Sequence, residues 1–152
     1  MSETLKGECL CDGIEYELTD PEGFGICHCS RCQRWTGSSL AAVLVDPENF
    51  RITKGEDLVS RYESELAPRH FCSNCGASVY DDLGGKYFVA AGLMRELPLK
   101  PDFHMQVAYK AHWDEVGGDA PQYDENPPGW VDYKLPRPIE KISRRRSEGG
   151  VD

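Results

Sequence analysis

The chain has 152 residues, enough for one domain with a buried core, and a formal net charge of −9 from 26 acidic and 17 basic residues. That balance argues against nucleic acid as the main partner, since phosphate binding needs a basic face. No long apolar run suited to a membrane span is present, and Met1–Lys6 lacks the apolar stretch of a secretory signal, so a cytoplasmic, reducing setting is expected.

Along the chain, Ile14-Glu15-Tyr16-Glu17-Leu18 alternates apolar and polar, the two-residue period of a half-buried strand. Asp20-Pro21-Glu22-Gly23 reads as a turn, and Phe24 to Cys27 as a short strand running into a cysteine cluster. Ser30 is placed to N-cap a short helix through Arg34 that Gly37 closes. Leu40 to Val45 is apolar throughout and predicts a central strand. Phe50–Thr53 and Leu58–Tyr62 predict two more around the Lys54-Gly55-Glu56-Asp57 turn. Ser78–Tyr80 and Tyr87–Ala91 flank Leu83-Gly84-Gly85-Lys86 like the arms of a hairpin, and His104–Tyr109 offers a last strand. From Val116 to Pro128, Gly, Pro, Asp and Asn dominate, which predicts a long loop or an arm over the domain. Trp130 and Tyr133 are isolated aromatics, and Arg144-Arg145-Arg146 onward reads as a solvated tail. The expected organisation is a single zinc-binding domain over 1–135 and a tail over 136–152.

The seven cysteines fall into three groups: Cys9-Leu10-Cys11, Cys27-His28-Cys29-Ser30-Arg31-Cys32 and Cys72-Ser73-Asn74-Cys75-Gly76. In a reducing compartment clustered cysteines read as metal ligands, and an odd count would strand one thiol in a disulfide framework. Zinc takes four ligands in a tetrahedron. The Cys72/Cys75 pair followed by Gly76 is a knuckle signal, because glycine lets the chain curl and turn N–H groups toward the thiolates. Gly13 can serve the same purpose after Cys9/Cys11. The economical combination joins Cys9, Cys11, Cys72 and Cys75 into a closed, structural site. Cys27, Cys29 and Cys32 are left as three thiolates with an open fourth position, the usual form of catalytic zinc. Free core cysteines are the plain alternative for the pairs, a redox-active thiol cluster is the alternative for the triplet, and an exchange of ligands between groups stays open.

His28 lies between two of these cysteines, and alternation along an extended segment gives it an outer-sphere or exposed role rather than a ligand's. Arg31 and Arg34 either bind a substrate carboxylate or offset thiolate charge. His70, His104 and His112 have no mutual metal spacing and read as ordinary strand or loop residues. Asp81 and Asp82 are expected on opposite faces of a strand, which argues against a paired-carboxylate site.

Gly7-Glu8-Cys9-Leu10-Cys11, Cys27-His28-Cys29-Ser30-Arg31-Cys32-Gln33-Arg34-Trp35-Thr36-Gly37 and Phe71-Cys72-Ser73-Asn74-Cys75-Gly76 together resemble the glutathione-dependent formaldehyde-activating enzymes, whose domain is shared with centromere protein V. The likeness runs from about Leu5 to about Trp113. It implies a mainly β, Mss4-like fold of twisted antiparallel sheets with zinc knuckles. It implies structural zinc on Cys9, Cys11, Cys72 and Cys75, and a second, catalytic zinc on Cys27, Cys29 and Cys32. The implied activity is formation of S-hydroxymethylglutathione from formaldehyde and glutathione, a carbon–sulfur lyase reaction in its formal direction. Asp12 stands where the family commonly has glycine and Gly13 follows it, an arrangement that shifts the turn by one residue and keeps the ligands. The leading expectation is a zinc-dependent carbon–sulfur lyase acting on a small thiol adduct. A non-catalytic, zinc-stabilised module that binds glutathione or a protein is the alternative, and a thiol redox sensor is a third idea.

Overall fold

A computed structural model describes residues 3–64 and 67–129. In chain order they form β1 (Leu5–Glu8), β2 (Glu15–Leu18), β3 (Gly23–Cys27), helix α1 (Ser30–Thr36), β4 (Leu40–Val45), β5 (Phe50–Lys54), β6 (Val59–Glu63), β7 (Pro68–Cys72), β8 (Ser78–Asp82), β9 (Tyr87–Ala90) and β10 (Phe103–Met105). The fold is mainly β. A three-stranded antiparallel sheet has the order β1-β2-β5, and a larger sheet has the order β10-β3-β4-β9-β8-β7-β6. Among the described strands all pairings are antiparallel except β10 against β3, which is parallel. No described helix is long and apolar enough to cross a membrane.

β4 shows why one segment reads as continuously apolar. It lies between β3 and β9, and both of its faces are covered. Leu40, Ala42 and Leu44 pack in one core with Cys27, Cys29, Cys32, Phe88 and Met105. Val43 and Val45 turn to the other face and join Ile14, Tyr16, Leu18, Val79 and Val89 from the smaller sheet and its neighbours. A strand buried on both sides has no solvent face to make polar, so alternation disappears. β2, only half-buried on one side, keeps it.

Several local expectations shift. The helix N-cap is Cys29 rather than Ser30: its Sγ accepts from the Cys32 N–H at 3.3 Å, and the Gly37 N–H closes the other end on the Gln33 carbonyl at 2.7 Å. The final strand stops at Met105, because Gln106 takes a left-handed backbone (φ 58°) and Val107–Tyr109 continue as a short 3-10 turn. The strand expected over Leu58–Tyr62 begins at Val59, after a 3-10 turn over Glu56–Leu58. The Gly- and Pro-rich segment runs beside β10, where the Tyr123 N–H donates to the His104 carbonyl at 2.9 Å and Gln122 bridges His104. Trp130, Tyr133, Arg144–Arg146 and the boundary at 135/136 lie outside the described residues.

Candidate metal centres and the adjoining cleft

The two cysteine pairs come together from distant parts of the chain. Cys9 and Cys11 follow β1, whereas Cys72 ends β7 and Cys75 sits in the turn to β8. Their four sulfurs lie within 4.8 Å of one another, with Cys9 to Cys11 at 3.6 Å and Cys11 to Cys72 at 3.8 Å. A tetrahedron of thiolates at the Zn–S length has edges of about 3.8 Å, so this donor set fits one zinc ion. The backbone supports it: the Ile14 N–H donates to Cys9 Sγ at 3.2 Å, and N–H groups of Gly13 and Ala77 reach Cys11 and Cys75. The Asn74 side chain, ahead of the Gly13 N–H, draws Cys11 down to about 6, while burial pushes Cys9 up to about 11.

The two turns reach this geometry differently. Gly76 is left-handed (φ 79°), as a knuckle requires. In the first turn Asp12 itself is left-handed (φ 62°), so the turn does not move to Gly13. Gly13 is needed for room instead: a Cβ there would meet Leu58 Cδ1 at 2.7 Å and Cys11 Sγ at 3.1 Å.

The sulfurs of Cys27, Cys29 and Cys32 likewise lie within 4.8 Å of one another, and all three residues are buried. They line a small cavity of about 20 Å³ with Leu40, Ala67, Leu83, Phe88, Met105, Arg69 and Asp81. That is room for roughly one water-sized occupant. Hydrogen bonds from the Cys27 and Cys32 thiols hold Cys29 well below the ordinary thiol range. The bonds to Cys29 and Cys32, with burial, push Cys27 well above it. Cys32 is drawn down by Cys27 but driven up on balance by Cys29 and burial. Without a cation, one thiolate is favoured at the expense of the other two. This is the chemistry of a donor set that a soft divalent ion completes.

Arg69 supplies the only guanidinium among the residues lining this cavity. Burial works against its charge, but Cys32, Asp81 and Cys29 hold its pKa above the usual arginine value. Its Nη1 donates to Asp81 Oδ2 at 2.9 Å, both side chains being under a tenth exposed. Burial lifts Asp81 to about 6, and Arg69 opposes the rise. The charge that offsets the thiolates is therefore this pair's arginine, a residue the sequence did not single out. Hairpin arithmetic from the Cys72–Gly76 turn would have set Arg69 opposite Tyr80; a bulge between His70 and Phe71 shifts the register by one and brings it to Asp81. Asp82 points the other way, as expected, and is only half-buried.

His28 is buried, which removes the exposed alternative, and its side chain does not line the three-cysteine cavity. Its Nε2 lies 3.0 Å from His104 Nδ1, and its Nδ1 3.7 Å from Asp114. His104 is thus half of a buried imidazole pair that joins the first cysteine segment to β10, a partnership that residue spacing could not show. His70 stacks on Tyr80 with ring centroids 4.1 Å apart.

Arg69 also borders an open cleft of about 330 Å³ with Arg31, Arg34, Trp35, Tyr62 and Ser64. Trp35 stacks on Tyr62 with centroids 6.1 Å apart, and the Arg69 guanidinium lies 5.6 Å from the Trp35 ring centroid.

Comparison with known proteins fits this architecture. A crystal structure of a Rhodobacter sphaeroides protein superposes with a TM-score of 0.54 at 20% identity, over 78% of this chain and 99% of that one, a likeness of fold. An uncharacterized lyase of Schizosaccharomyces pombe is 30% identical over 94 residues, 59% of this chain and 68% of the relative. The family model described as glutathione-dependent formaldehyde-activating enzyme matches residues 4–109, a stretch that includes all seven cysteines. The chain belongs to the family of glutathione-dependent formaldehyde-activating enzymes.

Proposed function

We propose that the protein is a zinc-dependent carbon–sulfur lyase that interconverts a small thiol and an aldehyde with their hydroxymethyl-type adduct, formaldehyde and glutathione being the family's pair. The observation that carries this reading is the convergence of Cys27, Cys29 and Cys32 in one buried cavity beside a fixed guanidinium. Cys9, Cys11, Cys72 and Cys75 would hold a structural zinc, and Cys27, Cys29 and Cys32 a catalytic one. When bound by three thiolates, zinc supplies a Lewis acid that makes a substrate thiolate available near neutral pH.

In the synthetic direction the thiol gives up its proton, a sulfur–carbon bond forms at the carbonyl carbon, and the former carbonyl oxygen takes a proton. The reverse breaks the same bond. The chain's residues serve this in three ways. Leu40, Leu83, Phe88 and Met105 keep the cavity dry, which strengthens every charge interaction in it. Arg69, fixed by Asp81, offsets negative charge on Cys29 and Cys32. The peptide N–H of Cys32 donates to Cys29 and fixes its sulfur.

The test is exchange between formaldehyde and thiols followed by NMR on zinc-loaded protein. Exchange faster than the uncatalysed reaction, and lost in Cys29→Ser, is expected. Rates equal to background for every common cellular thiol would reject the enzymatic reading. The tightness of the cavity favours a second reading, a zinc-stabilised module that binds glutathione or a protein without turnover. Calorimetry would then show saturable thiol binding and no rate enhancement.

A further inference from the structure

We infer that the open edge of β1 pairs with β1 of a second copy of this chain, antiparallel about a twofold axis at Gly7. The two small sheets then join into one.

The ladder fixes which groups face the open side. Among the described strands β1 pairs with β2 alone. Just past its end the Cys9 N–H donates to the Ile14 carbonyl at 3.1 Å, which marks Cys9 as facing β2. An antiparallel ladder alternates, so the N–H and C=O of Leu5 and Gly7 also turn toward β2, and those of Lys6 and Glu8 turn outward. A cleft of about 460 Å³ runs along this edge, with Leu93 and Leu97 on its far wall. β1 leads directly into Cys9, a ligand of the proposed structural zinc, so the edge is held in place before a partner arrives.

Charge selects the partner and the register. Outward groups can meet only outward groups, so the registers open to an antiparallel copy differ by two residues. Lys6 against Lys6, or Glu8 against Glu8, sets like charges directly opposite one another and is disfavoured. Midway between them lies the register with Gly7 on the axis, which sets Lys6 of each copy opposite Glu8 of the other. Each of these two pairs exchanges two backbone hydrogen bonds and adds an ion pair. Their side chains lie on the face away from the core: Lys6 is exposed and Glu8 half-buried, whereas Leu5 and Gly7 are buried.

The same pairing eases a local conflict. β2 sets Glu15 directly opposite Glu8, and these carboxylates are reached by Lys54 and Arg95. A lysine from the open edge brings a further cation beside Glu8. A lysine on an edge strand ordinarily discourages pairing, but here it meets an acid.

The test is sedimentation equilibrium on full-length, zinc-loaded protein at low salt, over about 5–200 µM, a range suited to a small interface. A reversible dimer is expected, with amide exchange at Lys6 and Glu8 slowing as protein concentration rises. Lys6→Glu and Glu8→Lys should each weaken it about tenfold or more, because both cross-strand pairs become like-charged. Both side chains reach solvent, so thermal midpoint and bound metal should stay near wild type. The double variant Lys6→Glu/Glu8→Lys should regain the wild-type association. An equimolar mixture of the two single variants should form heterodimers, since every acid in that pair again faces a lysine. A monomer across the whole range, a dimer indifferent to the single reversals, or a mixture without heterodimers would overturn the proposal. So would protection of the Lys6 and Glu8 amides that is independent of concentration, the sign of an occupant from within the same chain.

Discussion

Arg69 keeps its charge inside the protein, where desolvation opposes it, because three acidic groups surround it. Its side chain is 7% exposed and its carboxylate partner Asp81 9%. Removing one member of such a pair leaves the other buried and unpaired, which typically costs about 3–5 kcal/mol, while replacing both with apolar groups costs far less. Arg69→Met should therefore destabilise the fold by about that amount in urea denaturation, and Arg69→Met/Asp81→Leu should recover most of the loss. A single variant within about 1 kcal/mol of wild type would show that the pair is not coupled as described. None of this is visible at Arg69 in the sequence, where a lone arginine in a strand reads as a surface residue. It becomes visible only once β7 and β8 are paired, because the bulge between His70 and Phe71 that sets Arg69 against Asp81 leaves no mark in the turn spacing.

The elements themselves were read with mixed success, and the misses have physical causes. β4 was legible because six consecutive apolar residues fit only a strand covered on both faces. The helix over Ser30–Thr36 was legible from its closing glycine, but its cap was misplaced by one residue because the cysteine sulfur acts where a serine hydroxyl was expected. The end of β10 was missed because Gln106 in a left-handed conformation leaves no mark in residue type.

The turn after Cys9 and Cys11 was also misread. Asp tolerates the left-handed region better than most residues, so Asp12 itself takes the left-handed place in the turn. Its backbone bonds, Asp12 N–H to the Cys9 carbonyl at 3.0 Å and Lys54 Nζ to its own carbonyl at 3.0 Å, do not need its side chain. Asp12→Gly should thus raise stability by roughly 0.5–1 kcal/mol, and Asp12→Val should lower it by about 1–2 kcal/mol. Thermal melts of the two variants moving in the same direction would contradict this account of the turn.

Across the molecule, the four-cysteine site links the entry to the small sheet with a hairpin of the large one, two segments 61 residues apart at Cys11 and Cys72. Closing so long a loop has an entropic cost that a metal–thiolate cluster can offset, because ligand binding is then part of the folding free energy. With zinc at both centres, native mass spectrometry should find two metals on wild type and one on Cys29→Ser. Cys72→Ser should fold poorly, with a loss on the order of several kcal/mol. Two metals retained by Cys29→Ser, or a well-folded Cys72→Ser, would break the proposed division between a structural and a catalytic centre.

The cysteine spacing was enough to pick out the three cysteine groups, because thiols within a few residues of one another can reach a common point, whereas the meeting of Cys9 and Cys11 with Cys72 and Cys75 belongs to the tertiary structure. The alternation and turn residues were enough to make the fold mainly β, because a pleated strand has a period of two whatever surrounds it. The cysteine groups and the strand periods are local, and one stretch of chain carries each of them. The Arg69–Asp81 pair, the His28–His104 contact, the sealing of the triplet's cavity by Phe88 and Met105, and the recess shared by Arg31, Arg34 and Tyr62 are of another kind. Each joins residues from separate parts of the chain, so it exists only after sheet order and register have been chosen, and burial then sets the charge and reach of every group in it.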